Sequence, residues 1–319
     1  MRKNQAALFV LVLMLASLAC GAGGSDVARE STVQAISAEI RATGTASAAQ
    51  GPQVTQIVDL SSDSLTATAS AFSPILAELP KFGVDPSEGK IGWVHPPVSL
   101  DASGYHHFEY VNYFLGTLAQ DFVISADITW NTVGSTSGCG FVLRSDGNEN
   151  ALDQYVAIIT RVASGHFLFS TMSDGEVVTG RDIYARYRDK KFQWENDTTN
   201  RLTIVGRGNR FWVYTNDTLI GEIDPSAPPA QPSIPPEPEK PANQADAQAM
   251  ALYEQQKVEH EAVVAQIKAD FAARQRAFYS ADTVFDRGFM AMVALSESGR
   301  STTCKFDNAW LFLIDSPPP

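Results

Sequence analysis

The run Asp121–Thr132, DFVISADITWNT, sets Phe122, Ile124, Ala126, Ile128 and Trp130 at every second position, with mostly polar residues between them. A period of two places those side chains on one face of an extended chain, so the segment is predicted to be a strand with one face in a core. Shorter runs of the same kind follow at Cys139–Arg144, Gln154–Arg161, His166–Met172, Arg201–Val205, Arg210–Thr215 and Thr218–Ile223, and Gly288–Ser296 and Thr303–Ile314 close the chain. The segments Gly206-Arg207-Gly208-Asn209 and Asn216-Asp217 read as hairpin turns, because Gly, Asn and Asp tolerate positive φ. Many short strands joined by tight turns bury their apolar faces best as two packed sheets, so an all-β sandwich or jelly roll is predicted.

One stretch departs from that pattern. Residues 225–242 are Pro-rich and exclude both a helix and a sheet interior, so they are expected to form an extended surface connector. Residues 243–279 then lack Pro and Gly and are rich in Ala, Gln, Glu and Lys, which predicts one long helix. Met250, Tyr253, Val264, Ile267, Phe271 and Phe278 fall near one face of it, so the second half is expected to pack on the sandwich and the first to be more exposed. A dimeric coiled coil is the sharper alternative, but the heptad fails around Lys257 and Arg274.

The N-terminus, residues 1–19, resembles a bacterial lipoprotein signal peptide. Arg2 and Lys3 precede an apolar stretch from Ala6 to Ala16, too short to span a bilayer, and Ser17-Leu18-Ala19 leads to Cys20. The resemblance implies lipidation of Cys20 and a chain anchored to the outer face of the bacterial membrane, at the cell surface. Residues 20–78, rich in Ala, Ser, Thr and Gln, read as a low-complexity tether to a domain spanning 79–315. The formal charge of −12 provides no basic stripe for nucleic acid and would be repelled by anionic headgroups, so the membrane partner is reached through the lipid alone. Setting Cys20 aside leaves Cys139 and Cys304, which in an exported chain are expected to be bridged, with two buried thiols as the alternative.

The segments Asp121–Trp130, Cys139–Arg144 and Cys304–Trp310 resemble the concanavalin A-like, laminin-G-like jelly rolls of bacterial surface lipoproteins, domains also labelled family-16-like glucanase or 3-keto-disaccharide hydrolase folds. The likeness covers residues 79–315 outside the Pro-rich and helical insertion, which it places before the last two strands. It also implies that the two cysteines sit on neighbouring strands. Fold is what such a likeness carries, because this sandwich serves lectins, hydrolases and adhesion modules alike.

A family-16-like hydrolase would present Glu-x-Asp-x-x-Glu on one strand, but Glu222-Ile223-Asp224 is followed by Pro225-Ser226-Ala227, so the segment reads as a strand end with solvated acids and no catalytic residue is assigned. Asp146-Gly147-Asn148-Glu149-Asn150 and Asp153 space oxygen ligands as a calcium loop would, but Ala151 and Ala157 stand where an EF-hand needs Gly and Glu. A solvated hairpin loop is therefore expected, with calcium kept as a candidate ion by the resemblance alone and no cofactor implied. His106 and His107, being adjacent, point to opposite faces of an extended chain, and no metal site is predicted.

Aromatic residues give the better lead. Sugar rings stack on exposed aromatic faces, and Trp93, Tyr105 and Tyr110 crowd the start of the domain, so these three are the candidate ligand-binding residues. Trp130, Trp212 and Trp310 are expected in or near the core. Three function classes follow: a non-catalytic surface module binding a glycan or another extracellular polymer, a saccharide hydrolase on the same fold, and an assembly lipoprotein whose helix at 243–279 binds a protein partner.

Overall fold

A computed structural model describes residues 72–134 and 136–315; the expected signal peptide, Cys20 and the tether as far as residue 71 lie outside the described residues. Two antiparallel sheets face each other. Sheet A contains β1 (Gly89–His95), β2 (Val98–Ala102), β5 (Asp121–Thr132), β10 (Thr198–Arg207), β11 (Arg210–Thr215), β12 (Thr218–Ile223) and β14 (Thr302–Ile314). Sheet B contains β3 (His107–Val111), β4 (Leu118–Ala119), β6 (Gly138–Ser145), β7 (Gln154–Thr160), β8 (His166–Ser173), β9 (Glu176–Ile183) and β13 (Gly288–Ser296). The order across sheet A is β1-β14-β5-β10-β11-β12, with β2 also on β14, and across sheet B it is β3-β13-β6-β7-β8-β9, with β4 also on β13. The fold is the predicted jelly-roll sandwich, with the helical insertion ahead of β13 and β14.

The alternation in β5 does what its period requires. Phe122, Ile124, Ala126, Ile128 and Trp130 point between the sheets, against Phe141, Leu143, Tyr155, Phe167, Phe169 and Phe211. The opposite face of β5 is covered as well near its start, where Val123 joins Val205, Trp310, Phe312 and Ile314 under Ile75, Leu79, Phe82 and Val84. Residues 72–78, expected in the tether, therefore belong to the folded domain. They are helical, and Glu78 pairs with Arg201 at 2.7 Å while Arg201 also holds Asp127 at 2.8 Å.

Cys139 on β6 and Cys304 on β14 form a disulfide across the core, with Cα atoms 5.7 Å apart. Glycine alternates with the inward residues of β6. A Cβ on Gly140 would lie 2.0 Å from Ala157 O, and one on Gly138 would lie 2.1 Å from Ile159 O, so only glycine allows β7 to approach this closely.

The insertion is more ordered than a connector followed by a helix. Pro229, Pro232, Pro235, Pro238 and Pro241 are half-buried, while the residues between them are exposed. A period of three is that of a polyproline II helix, so one proline-lined edge is protected. The long helix α2 (Ala247–Ser280), which follows the single turn α1 (Ala185–Arg188), protects Tyr253, His260, Val264, Ile267, Phe271 and Phe278 along one stripe. His260 Nε2 donates to Pro235 O at 2.9 Å. The lengths agree. Pro235 is about 19 Å from Pro241 along a polyproline II helix, and His260 is about 20 Å from Ala247 along an α-helix. The two segments thus run side by side as a hairpin turned at 242–246.

Asp246 caps α2 by accepting from Gln248 N and Ala249 N at 3.0 and 3.1 Å, which starts the helix at Ala247 rather than at 243. Its last turns pack on β9, and Arg181 of β9 donates to Ala227 O at the base of the connector. The first half is the more exposed one, as expected, although Tyr253 and His260 on its stripe are half-buried and His260 bonds Pro235. Replacing Pro235 and Pro238 together by glycine should raise amide exchange across residues 250–262 while leaving the melting temperature of the sandwich unchanged, since polyproline II has no internal hydrogen bonds and relies on its fixed φ.

The chain returning from α2 is fastened inside the sandwich. Tyr155 Oη donates to Thr283 O at 3.1 Å and accepts from Phe285 N at 2.8 Å. Burial pushes this phenol up to about 12, with Phe285 N and Arg144 opposing the rise. Folding therefore favours the neutral hydroxyl: the stabilisation is complete below the unfolded value near 10 and is lost as pH rises from there through about 12. Tyr155→Phe should cost about 1–3 kcal/mol at neutral pH and flatten that alkaline limb in urea melts taken between pH 9 and 12.

Candidate ligand-binding face

The outer face of sheet B carries a narrow apolar crease. Strand alternation turns Val142, Val156, Ile158, Leu168, Met172, Val293 and Leu295 outward there, and Phe108, Val177, Gln154 and Ser170 complete the lining. Gly140 sits between Val293 and Ile158 in the same row of the sheet, so the trough is centred where a side chain is missing. Val142, Ile158, Leu168, Met172, Val293 and Leu295 are buried, whereas Val156 and, at the edges, Phe108, Tyr110 and Val177 are half-buried. The space inside is about 30 Å³, room for about two water molecules. A ligand of any size would therefore lie across the crease and use its rim.

That rim is aromatic on the β3 side. Phe108 and Tyr110 are two residues apart on an edge strand, so both face outward, opposite Leu295 and Val293 of β13. Their rings stack with centroids 6.1 Å apart at 24°. Burial, and then the charge of Glu149 on the β6–β7 loop, raise the Tyr110 hydroxyl above its ordinary value. Asn148, Glu149 and Asn150 of that loop are exposed. Stacked rings, an apolar floor and neighbouring amide and carboxylate groups form a surface that can take the C–H face of a ring and the hydroxyls around it.

The three candidate aromatic residues do not assemble into one site. Tyr110 is on the face just described. Tyr105 is 71% exposed in the turn between β2 and β3, where a Cβ on Gly299 would touch its ring. Trp93 is not a surface residue: it is 4% exposed, because its position in β1 points between the sheets, and its ring stacks on Phe114 at 5.9 Å. Phe108 joins Tyr110 on this face although it is not among the three candidates, and its i, i+2 spacing from Tyr110 on a short strand is the signal that places it there. Trp130 lies in the main core, and Trp212 and Trp310 pack with the second apolar cluster under the N-terminal helical segment.

The acids named from the sequence are engaged elsewhere. Glu222 pairs with Arg210 at 3.1 Å on the exposed end of β12, and Asp224 Oδ1 accepts from Ser226 N at 2.9 Å. In the loop read for calcium, Asp146 Oδ1 accepts from both Asn148 N and Asp153 N at 3.1 Å, and Asp153 Oδ1 accepts from Asp174 N at 2.9 Å. Those oxygens hold the hairpin closed by its own amides, which is the solvated-loop reading. His106 and His107 contact different acids, Glu297 at 2.7 Å and Glu109 at 2.9 Å. Among the described residues, no three His, Cys, Asp or Glu side chains are grouped to hold a metal ion.

No family model matches the chain, and no curated protein matches it. Solved structures do align with it. The carbohydrate-binding module CBM66 from Bacillus subtilis aligns at 13% identity over 70% of this chain and 94% of its own, with a TM-score of 0.36. The binding domain of botulinum neurotoxin DC, solved with SialylT, aligns at 12% identity over 72% of this chain and 42% of its own, with a TM-score of 0.33. SCLam, a non-specific endo-β-1,3(4)-glucanase from family GH16, aligns at 6% identity over 66% of this chain and 62% of its own, with a TM-score of 0.32. At such values, no ligand and no residue role is transferred from them.

Proposed function

We propose that this chain is an exported binding module, held at the outer face of a bacterial membrane by lipid on Cys20, that takes a glycan or another extracellular polymer without catalysing a reaction. The export and lipid parts of the reading rest on Arg2, Lys3, the apolar stretch and Cys20. The ligand part rests on the half-exposed Phe108–Tyr110 stack, set on an edge strand between an apolar crease and a polar loop.

The test is a glycan-array screen of the mature chain, with calcium and then with chelator, followed by product analysis on every hit. Tyr110→Ala is expected to weaken binding about tenfold or more, equivalent to about 1.4 kcal/mol, and Tyr110→Phe to retain most of it. Equal binding by wild type, Phe108→Ala and Tyr110→Ala would move the site off this face. Cleavage products would establish the hydrolase reading instead. The assembly reading has its own observation, the exposed Leu252, Val258 and Val263 on α2, and silence on every glycan would favour it.

A further inference from the structure

We propose that the outer face of sheet B admits uncharged saccharide polymers and rejects those carrying carboxylate, sulfate or phosphate groups. The inference rests on the saccharide reading above and adds the charge class of its ligand. The face lacks cations. Strands β3, β13, β6, β7 and β8 contain one Lys or Arg between them, Arg144, and that side chain is 1% exposed and lies in the core against Phe122 and Phe211. On β9, Arg181 donates to Ala227 O. His107 and His166 each bond an acid, Glu109 at 2.9 Å and Asp182 at 2.8 Å. An anionic group brought onto the crease would give up water to apolar side chains with no cation to replace it, which is the costly way to desolvate a charge.

One end of the same face is acidic. The β6–β7 loop, residues 146–153, and the β8–β9 turn at Asp174-Gly175 lie side by side there: Asp174 N donates to Asp153 Oδ1 at 2.9 Å and Gly175 N to Leu152 O at 3.0 Å. Crease residues run directly into them, Gln154 following Asp153 and Val177 following Glu176. Asp146, Glu149, Asp153, Asp174 and Glu176 give this end five carboxylates, and neither segment contains Lys or Arg. Arg287, exposed just ahead of β13, is offset by Asp286 beside it. Asp146 and Asp153 are occupied by loop amides, so they hold the loops together rather than a ligand. Their charge nevertheless reaches the adjoining crease, because the Debye length is about 10 Å at 0.1 M salt. A neutral ring feels little of that field, and Asn148 and Asn150 offer its hydroxyls uncharged donors and acceptors.

The test titrates the mature chain with starch, dextran, β-glucan, xylan and any polymer retained on the array, each unmodified and carboxymethylated, at low and at high salt. Every neutral polymer that binds is expected to bind about tenfold or more tightly than its carboxymethylated form at low salt, with a smaller gap at high salt. Asp174→Asn combined with Glu176→Lys, at two exposed positions, should narrow the low-salt gap about threefold or more and leave neutral binding and melting temperature unchanged. The same change of charge on exposed positions of α2, Glu254→Lys combined with Glu261→Gln, should leave the gap as it is. Equal or tighter binding of a carboxymethylated polymer at low salt would overturn the proposal while the saccharide reading stands. Equal narrowing by both double variants would overturn it as well, because the discrimination would then belong to the charge of −12 on the whole chain and not to this face. If no polymer binds in either form, the saccharide reading fails and the proposal fails with it.

Discussion

Replacing Arg144 by alanine should destabilise the domain by about 3–5 kcal/mol and release the segment behind α2 before the rest unfolds. Arg144 is 1% exposed, and it lies in the core against the Phe211 ring at 5.0 Å and the Phe122 ring at 5.8 Å. Its Nε donates to Gln120 O at 3.0 Å and its Nη1 to Phe285 O at 2.9 Å, while Asp121 stays 3.8 Å away. Removing the guanidinium takes the donor from both carbonyls and opens a cavity between two aromatic rings. Arg144→Lys should recover only part of the loss, because one ammonium cannot reach both Gln120 O, just ahead of β5, and Phe285 O, in the segment before β13, as the planar fork does. Urea melts give the magnitude, and limited proteolysis gives the order. Cleavage within 281–287 under native conditions is expected in Arg144→Ala and not in the wild type. An unchanged melt would mean that water replaces the guanidinium at no cost.

Substituting Cys139 and Cys304 by alanine together is expected to produce the second large loss. The bridge spans 165 residues, and the chain-entropy account gives a stabilisation of up to roughly 5 kcal/mol for a loop of this size. For a domain of this length, that corresponds to a fall in melting temperature of about 10–20 °C by calorimetry. The wild type treated with reductant should match the double variant. Cys139→Ala alone should behave as the double variant does, apart from the chemistry of the freed thiol at Cys304. A difference of only a degree or two between oxidised and reduced protein would show that the closed core already compacts the unfolded chain. Mass analysis of the native protein should detect no alkylation of either cysteine before unfolding.

Strands were legible where one face is dry and the other wet, or where turns mark their ends. The run at Asp121–Thr132 and the hairpin turn at Asn216-Asp217, whose residues adopt φ of 47° and 64°, are of this kind. Strands β1, β3 and β9 carry no such signal. In β3 and β9 nearly every position is half-buried, because an edge strand has a sheet neighbour on one side only and neither of its faces is fully dry or fully wet, and in β1 two glycines and a bulge at Ile91/Trp93 break the alternation. The insertion shows a different limit. Composition yields an extended connector, whereas the arrangement depends on prolines recurring at every third residue opposite a helical stripe, a pairing between two periods rather than a property of either. The candidate site was legible in residue type only. Sequence places Trp93, Tyr105 and Tyr110 near one another along the chain, but which face each side chain takes depends on sheet partners far along the chain, such as Val293 for Tyr110 and Trp310 for Val94 beside Trp93.

The cross-core cysteine bridge also has a mechanical meaning. A pull transmitted along the chain from ahead of residue 72 enters through the helical segment that lies on sheet A, whereas a pull from anything bound on the outer face of sheet B enters through the other sheet. Between them lies a layer of apolar side chains, which resists separation by burial but offers little directional resistance to sliding. Cys139 and Cys304 place one covalent link across that layer, between a central strand of each sheet. Under shear the bridge acts as a pin that keeps the two sheets in register, so a load applied between the N-terminal segment and the outer face of sheet B passes through a bond that reductant can cut.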